Sequence, residues 1–145
     1  LHSFPTRRSS DLLQQFVSAG NALLVATSSF WEGVDVRGDT LSLVIIDKLP
    51  FTSPDDPLLK ARMEDCRLRG GDPFDDVQLP DAVITLKQGV GRLIRDVTDR
   101  GVLVICDNRL VMRPYGATFL AILPPAPRTR DIKRAVRFLA NPTAE

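Results

Sequence analysis

A chain of 145 residues, 43% hydrophobic and 26% charged, has the composition of a soluble globular domain and the length to bury a sizeable core. A formal net charge of +1 lacks the overall basic excess of a duplex binder, so any nucleic-acid footprint must be local. Two cysteines, Cys66 and Cys106, exclude a four-cysteine zinc or iron-sulfur site within the chain and read as reduced thiols of a cytoplasmic protein. The longest apolar run is far short of the roughly 20 residues a membrane span needs.

Residues 1–12 (LHSFPTRRSSDL) are polar, break at Pro5 and contain His2, the sole histidine. They have no apolar stretch of signal-peptide length. Because they look like translated sequencing-adapter read-through, they are set aside as a non-native or disordered leader. The true reading frame is then expected to begin upstream. Residues 13–20 read as a short helix stopped by Gly20. Residues 22–27 (ALLVAT) form a continuous apolar run of strand length, which predicts burial on both faces and so a parallel sheet. A loop-rich stretch, 28–39, leads to a second buried strand, 41–46. Residues 52–57 are a turn with Pro57 near the first position of a helix over about 58–69, whose charges read as a solvated face. Residues 72–79 read as an irregular acidic link, and Pro80-Asp81 opens a central helix that ends near Arg95. Residues 101–107 are a third buried strand, 114–123 a short helix, 124–127 a stiff linker, and Thr129 begins a last helix. Apolar strands alternating with helices predict an α/β layered domain with a mainly parallel sheet.

Ligands of an open α/β sheet sit beyond the carboxyl ends of its strands. Three distinctive stretches fall there: 28–38 with Glu32-Gly33-Val34-Asp35, 47–51 (DKLPF), and Asp107-Asn108-Arg109. Taken alone, the tetrapeptide is a tight turn and Phe30-Trp31 a lid on the core. The central helix is harder to explain blandly. Stepping about 100° per residue, Arg92 and Arg95 fall within about 40° of Gln88, while Val83, Leu86, Val90 and Leu93 gather opposite. Gly89 and Gly91 each cost about 1 kcal/mol against alanine inside a helix, so a close approach to that helix is expected.

Together, residues 29–36 (SFWEGVDV), 43–51 (LVIIDKLPF) and 86–95 (LKQGVGRLIR) resemble the second RecA-like motor domain of DinG-like helicases, bacterial relatives of the XPD group in helicase superfamily two. The resemblance covers about residues 13–124, and Arg37 departs from it where proline is common. It implies a RecA-like fold of the P-loop NTPase type over 13–125, present here as a partial domain, followed by a C-terminal amphipathic helix over 126–145. It implies that Arg92 and Arg95 act as arginine fingers on ATP and that Gln88 contacts the γ-phosphate or positions the attacking water. Glu32, Gly33, Asp35 and Gly91 would line the nucleotide, while Thr27, Ser28, Ser29, Phe30 and Trp31 would contact single-stranded DNA. Their chemistry suits these roles: guanidinium forks match phosphate, hydroxyls position a DNA backbone, and aromatic rings stack bases.

No G-x-x-x-x-G-K-[ST] loop occurs in the chain. By the resemblance, that loop, the box that binds Mg and any iron-sulfur cluster belong to an upstream first motor domain, the expected partner of this one in the same polypeptide. The implied whole is an ATP-dependent 5′ to 3′ DNA helicase of repair or replication, and the chain alone is expected to be inactive as an ATPase. The rivals are a non-hydrolytic nucleic-acid-binding module and the equivalent domain of a related nuclease or RNA helicase. In the last helix Arg130, Lys133, Arg134 and Arg137 share one face, which reads either as a solvated surface or as a phosphate-tracking patch.

Overall fold

The computed structural model describes residues 9–27, 30, 41–91 and 100–141. Helix α1 spans Ser9–Ala19, starting four residues ahead of the expected Leu13, and stops at Gly20, whose φ of 69° an L side chain rarely adopts. Strand β1 (Leu43–Ile46) and strand β2 (Val102–Ile105) are parallel neighbours, with Leu43 opposite Val102 and Ile46 opposite Ile105. Between them lie helix α2 (Pro57–Leu68), a π-helical turn (Phe74–Gln78) and helix α3 (Leu79–Val90). After β2 come α4 (Arg109–Met112), α5 (Gly116–Ala121) and α6 (Ile132–Ala140). The described chain is thus mixed helix and strand around a small parallel sheet.

The core joins sheet, α3 and α5. Ile46, Leu49, Ala82, Leu86, Val90 and Phe119 form one buried cluster, with Val44, Val83, Leu103 and Ile105 packed against it. The period read for the central helix is therefore correct at Val83, Leu86 and Val90, and Gln88 points to solvent. α2 begins as expected: the Asp56 carboxylate accepts from the Leu59 backbone N–H at 2.8 Å, and Pro57 holds the first helical position, where a backbone N–H is not needed. An ion pair between Arg62 and Asp81 ties α2 to α3.

Several expectations need correction. Residues 22–27 are not a strand: no ladder partner lies beside them among the described residues, and Leu23 and Val25 are 83% and 84% exposed. An apolar run can predict burial but cannot supply the neighbour that burial and pairing require. The strands are not buried on both faces either. β1 turns Val44 and Ile46 inward and leaves Leu43 and Ile45 exposed, while β2 is half-buried throughout. The acidic link is ordered, because Asp72 Oδ1 accepts from the N–H groups of Phe74 and Asp75 at 2.8 and 3.0 Å. Asp76 Oδ2 accepts from Asp72 N at 2.8 Å, and the segment winds straight into α3. α4 adds to the expected elements. It forms because Asp107 and Asn108 carbonyls accept from Leu110 and Met112. α5 must approach α4 closely: a Cβ on Gly116 would stand 2.0 Å from the Leu110 carbonyl oxygen. The last helix begins at Ile132 rather than Thr129, since the Asp131 carboxylate caps it from outside, accepting from Lys133 N at 2.9 Å.

Candidate functional site

The carboxyl ends of β1 and β2 lie side by side, so the loops that follow them meet. β1 runs into Asp47, Lys48 and the buried Leu49; β2 runs into Cys106 and Asp107. Asp107 joins the two loops. Its Oδ2 accepts from the Leu49 backbone N–H at 2.9 Å, and its carboxylate takes Arg109 in a forked pair, with Nε 3.0 Å from both oxygens and Nη2 2.6 Å from Oδ2. Oδ1 also accepts from the Arg109 backbone N–H at 3.0 Å. The guanidinium then lies 5.3 Å over the centre of the Phe51 ring, in cation–π range. A carboxylate, a guanidinium and a ring thereby fix the exits of both strands.

The Arg109 guanidinium holds the Asp107 carboxyl well below the usual carboxylate range; burial opposes this, and the Leu49 and Arg109 N–H groups reinforce it. Because its folded pKa is depressed, Asp107 stabilises the fold fully above the ordinary carboxylate value of about 4 and less as pH falls below it. Asp107→Asn is expected to cost about 2 kcal/mol near neutral pH, and the gap between variant and parent should narrow below about pH 4. Urea unfolding of both proteins across that range is the measurement, and a gap that does not change with pH would rule out the ionised pair as its cause.

Around this joint lies a shallow cleft of about 200 Å³, lined by Phe51, Thr52, Phe74, Gln78, Arg109 and Tyr115. Phe51 and Phe74 stack at 5.9 Å, and Tyr115 meets Phe74 at 5.1 Å.

Of the residues singled out in sequence, Gln88 is exposed in the last turn of α3, and Gly91 caps that helix, also exposed. The φ of −62° at Gly91 is ordinary helix geometry, so its backbone does not require glycine. Thr27 is exposed, and its carbonyl accepts from the Phe30 N–H at 3.0 Å; Phe30 is half-buried. Ser28, Ser29, Trp31, Glu32, Gly33, Asp35, Arg92 and Arg95 lie outside the described residues. Asp107 stands out in the sequence only by its place at a strand end, which assigns it no role. The signal that could have found it is an acid two residues before an arginine at that place. Cys66 and Cys106 are free thiols. Among the described residues no group of three or more His, Cys, Asp or Glu is placed to hold a metal ion, and no helix is long and apolar enough to cross a membrane.

Comparison with known proteins adds independent findings. The family described as helicase C-terminal domain matches residues 3–126. ATP-dependent DNA helicase YoaA of Escherichia coli (strain K12) is 94% identical over 133 residues, covering 92% of this chain and 21% of that protein. The protein of the same name from Haemophilus influenzae is 75% identical over 130 residues, covering 90% of this chain and 20% of its own length. The 3′-5′ exonuclease DinG of Bacillus subtilis is 47% identical over 113 residues, covering 78% of this chain and 12% of that protein. The chain thus spans about a fifth, or less, of the length of these relatives.

Proposed function

We propose a function on one premise: this chain belongs to the helicase C-terminal domain family. It is the second RecA-like motor domain, over residues 13–125, of a cytoplasmic ATP-dependent DNA helicase, with a C-terminal helix following it. ATP and Mg are held mainly by a first motor domain elsewhere in the same polypeptide, and any iron-sulfur cluster of the full-length protein belongs there too. Arg92 and Arg95 reach the γ-phosphate across the cleft between the two domains, and Gln88 contacts it or orients the attacking water. Glu32, Gly33 and Asp35 line the nucleotide, and residues 27–31 contact single-stranded DNA, coupling hydrolysis to movement along the strand.

The observation that carries this reading is the way α3 divides its faces. It buries Leu86 and Val90 and turns Gln88 outward, and the arginine-bearing sequence continues from the exposed Gly91. Any half-buried helix has a polar face; what this one adds is that its exposed end opens the pattern Gln88-x-x-Gly91-Arg92-x-x-Arg95. The 94% identity to a protein named as an ATP-dependent DNA helicase supports the same reading over most of the chain.

The reading makes the ATP site a shared one, so half of it should not work. The purified 145 residues are expected to hydrolyse ATP no faster than buffer, with or without single-stranded DNA, while the full-length polypeptide shows DNA-stimulated hydrolysis and strand separation. DNA-stimulated hydrolysis by the isolated chain, lost on Arg92→Ala, would place a complete site within it and overturn the reading. The Bacillus subtilis relative named as an exonuclease favours one second reading for the whole protein, with nuclease chemistry outside this chain. Degradation of labelled single strands by the full-length polypeptide would select it.

A further inference from the structure

Helices α2 and α6 are both rich in cations and hold them differently. On and beside α2 every one is paired: Lys60 with Asp55 at 3.3 Å, Arg67 with Glu64 at 3.2 Å, Arg69 with Asp65 at 2.7 Å, and Arg62 with Asp81. Arg109 is likewise paired with Asp107. At α6, Arg130, Lys133, Arg134 and Arg137 are all exposed and form no ion pair among the described residues. The one acid in that segment, Asp131, caps the helix by accepting from Lys133 N at 2.9 Å. Lys48, Lys87 and Arg113 are also exposed and without an ion pair among the described residues, but they lie scattered along the chain, whereas the four at α6 fall within eight residues.

That segment is built into the domain. Ala135 and Leu139 are half-buried where α6 packs on β2, and the Arg100 guanidinium lies 4.9 Å over the Phe138 ring. Arg128 Nη2 donates to the Leu120 carbonyl at 3.0 Å, tying the preceding linker to α5. Stepping from Lys133, Arg137 lies about 40° round the helix and about 6 Å along it, with Arg134 about 100° round, so the helical cations make one stripe. Arg137 Nε donates to the Lys133 carbonyl at 3.3 Å, which lays its side chain back along that stripe. Beside it Ile132 and Val136 are 77% and 57% exposed.

We propose that this face of α6 is a phosphate-tracking contact for single-stranded DNA, separate from residues 27–31. Unpaired cations that run along one line suit a strand whose charges recur along one line, and binding there is driven by release of condensed counterions. The exposed Ile132 and Val136 give sugar and base edges an apolar rail beside the charges. An anionic membrane fits less well, because an interfacial helix needs its whole apolar face free, and here Ala135 and Leu139 are turned into the domain. The choice of DNA rests on the helicase reading above.

The test is the salt dependence of single-strand affinity in the full-length polypeptide, measured by fluorescence anisotropy with an oligothymidylate. The logarithm of affinity falls with the logarithm of salt by about 0.7 per neutralised phosphate. Replacing Arg130, Lys133, Arg134 and Arg137 together with glutamine is expected to reduce that slope by about 2 to 3, and each single replacement by about 0.7. The single variants carry the test if the fourfold variant fails to fold. Replacing the paired Arg67 and Arg69 with glutamine should leave the slope unchanged; an equal loss there would show a general charge effect and overturn the proposal. So would an unchanged slope in the α6 variants while the parent binds, including the case in which those variants lose binding to phosphatidylserine vesicles instead. A parent that binds no single strand at all would overturn the helicase reading along with it.

Discussion

Replacing Arg92 with alanine in the full-length polypeptide is expected to lower DNA-stimulated ATP hydrolysis by about 10³- to 10⁵-fold, the range over which an arginine supplied to a transferring γ-phosphoryl group acts. The size follows from timing. Charge accumulates on the phosphoryl oxygens in the transition state, so a guanidinium placed there contributes more to the rate than to binding of ATP. The loss should therefore appear in kcat, with KM for ATP changed little. Arg92→Lys should recover only a small part, because an ammonium cannot span two phosphate oxygens as the planar fork does. Arg95→Ala should also be severe, and Gln88→Ala milder, since an amide carries no net charge. Steady-state kinetics at saturating single-stranded DNA is the check. If Arg92→Ala keeps kcat within about threefold of the parent, less than 1 kcal/mol, the arginine is not a finger.

The two faces of α3, the helix that precedes Arg92 in sequence, are legible in the amino-acid sequence. A period of 3.6 over a buried helix sorts residues by face, so spacing alone assigns Leu86 and Val90 to the core and Gln88 to the surface. The two described strands are legible because each is a short β-branched run bounded by turn residues. Where the sequence misleads, the missing information is tertiary. Residues 22–27 have the composition of a buried strand, but burial belongs to the neighbour as much as to the segment, and Leu23 and Val25 have none among the described residues. Asp107 is hidden because its contact with the Leu49 N–H spans 58 residues, and no local pattern announces it. The winding of 72–79 is local, yet it depends on Asp72 and Asp76 turning their carboxylates back onto backbone N–H groups, which composition alone reads as an irregular link.

Phe119 shows how a short element can carry the joint on which the site rests. It sits in a helix of 6 residues, expected within 114–123 but too short for periodicity to sort its faces, yet it is 0% exposed, with its ring 5.7 Å from Phe51 and 6.3 Å from Tyr115. Phe51 in turn lies under Arg109, which is paired to Asp107, which holds Leu49. Deleting the ring should therefore act twice, by opening a cavity in the core and by loosening the exits of both strands. Phe119→Ala is expected to cost about 3–5 kcal/mol, a fall in Tm of roughly 6–20 °C for a domain of this size. Phe119→Leu, which keeps most of the volume, should cost less than about 1.5 kcal/mol if the core repacks. The two variants separate packing from the aromatic joint. If leucine restores stability but not the acid-sensitive contribution of Asp107, the ring itself positions the Phe51–Arg109–Asp107 chain. If leucine restores both, Phe119 only fills space, and the strand exits are held by Asp107 without it.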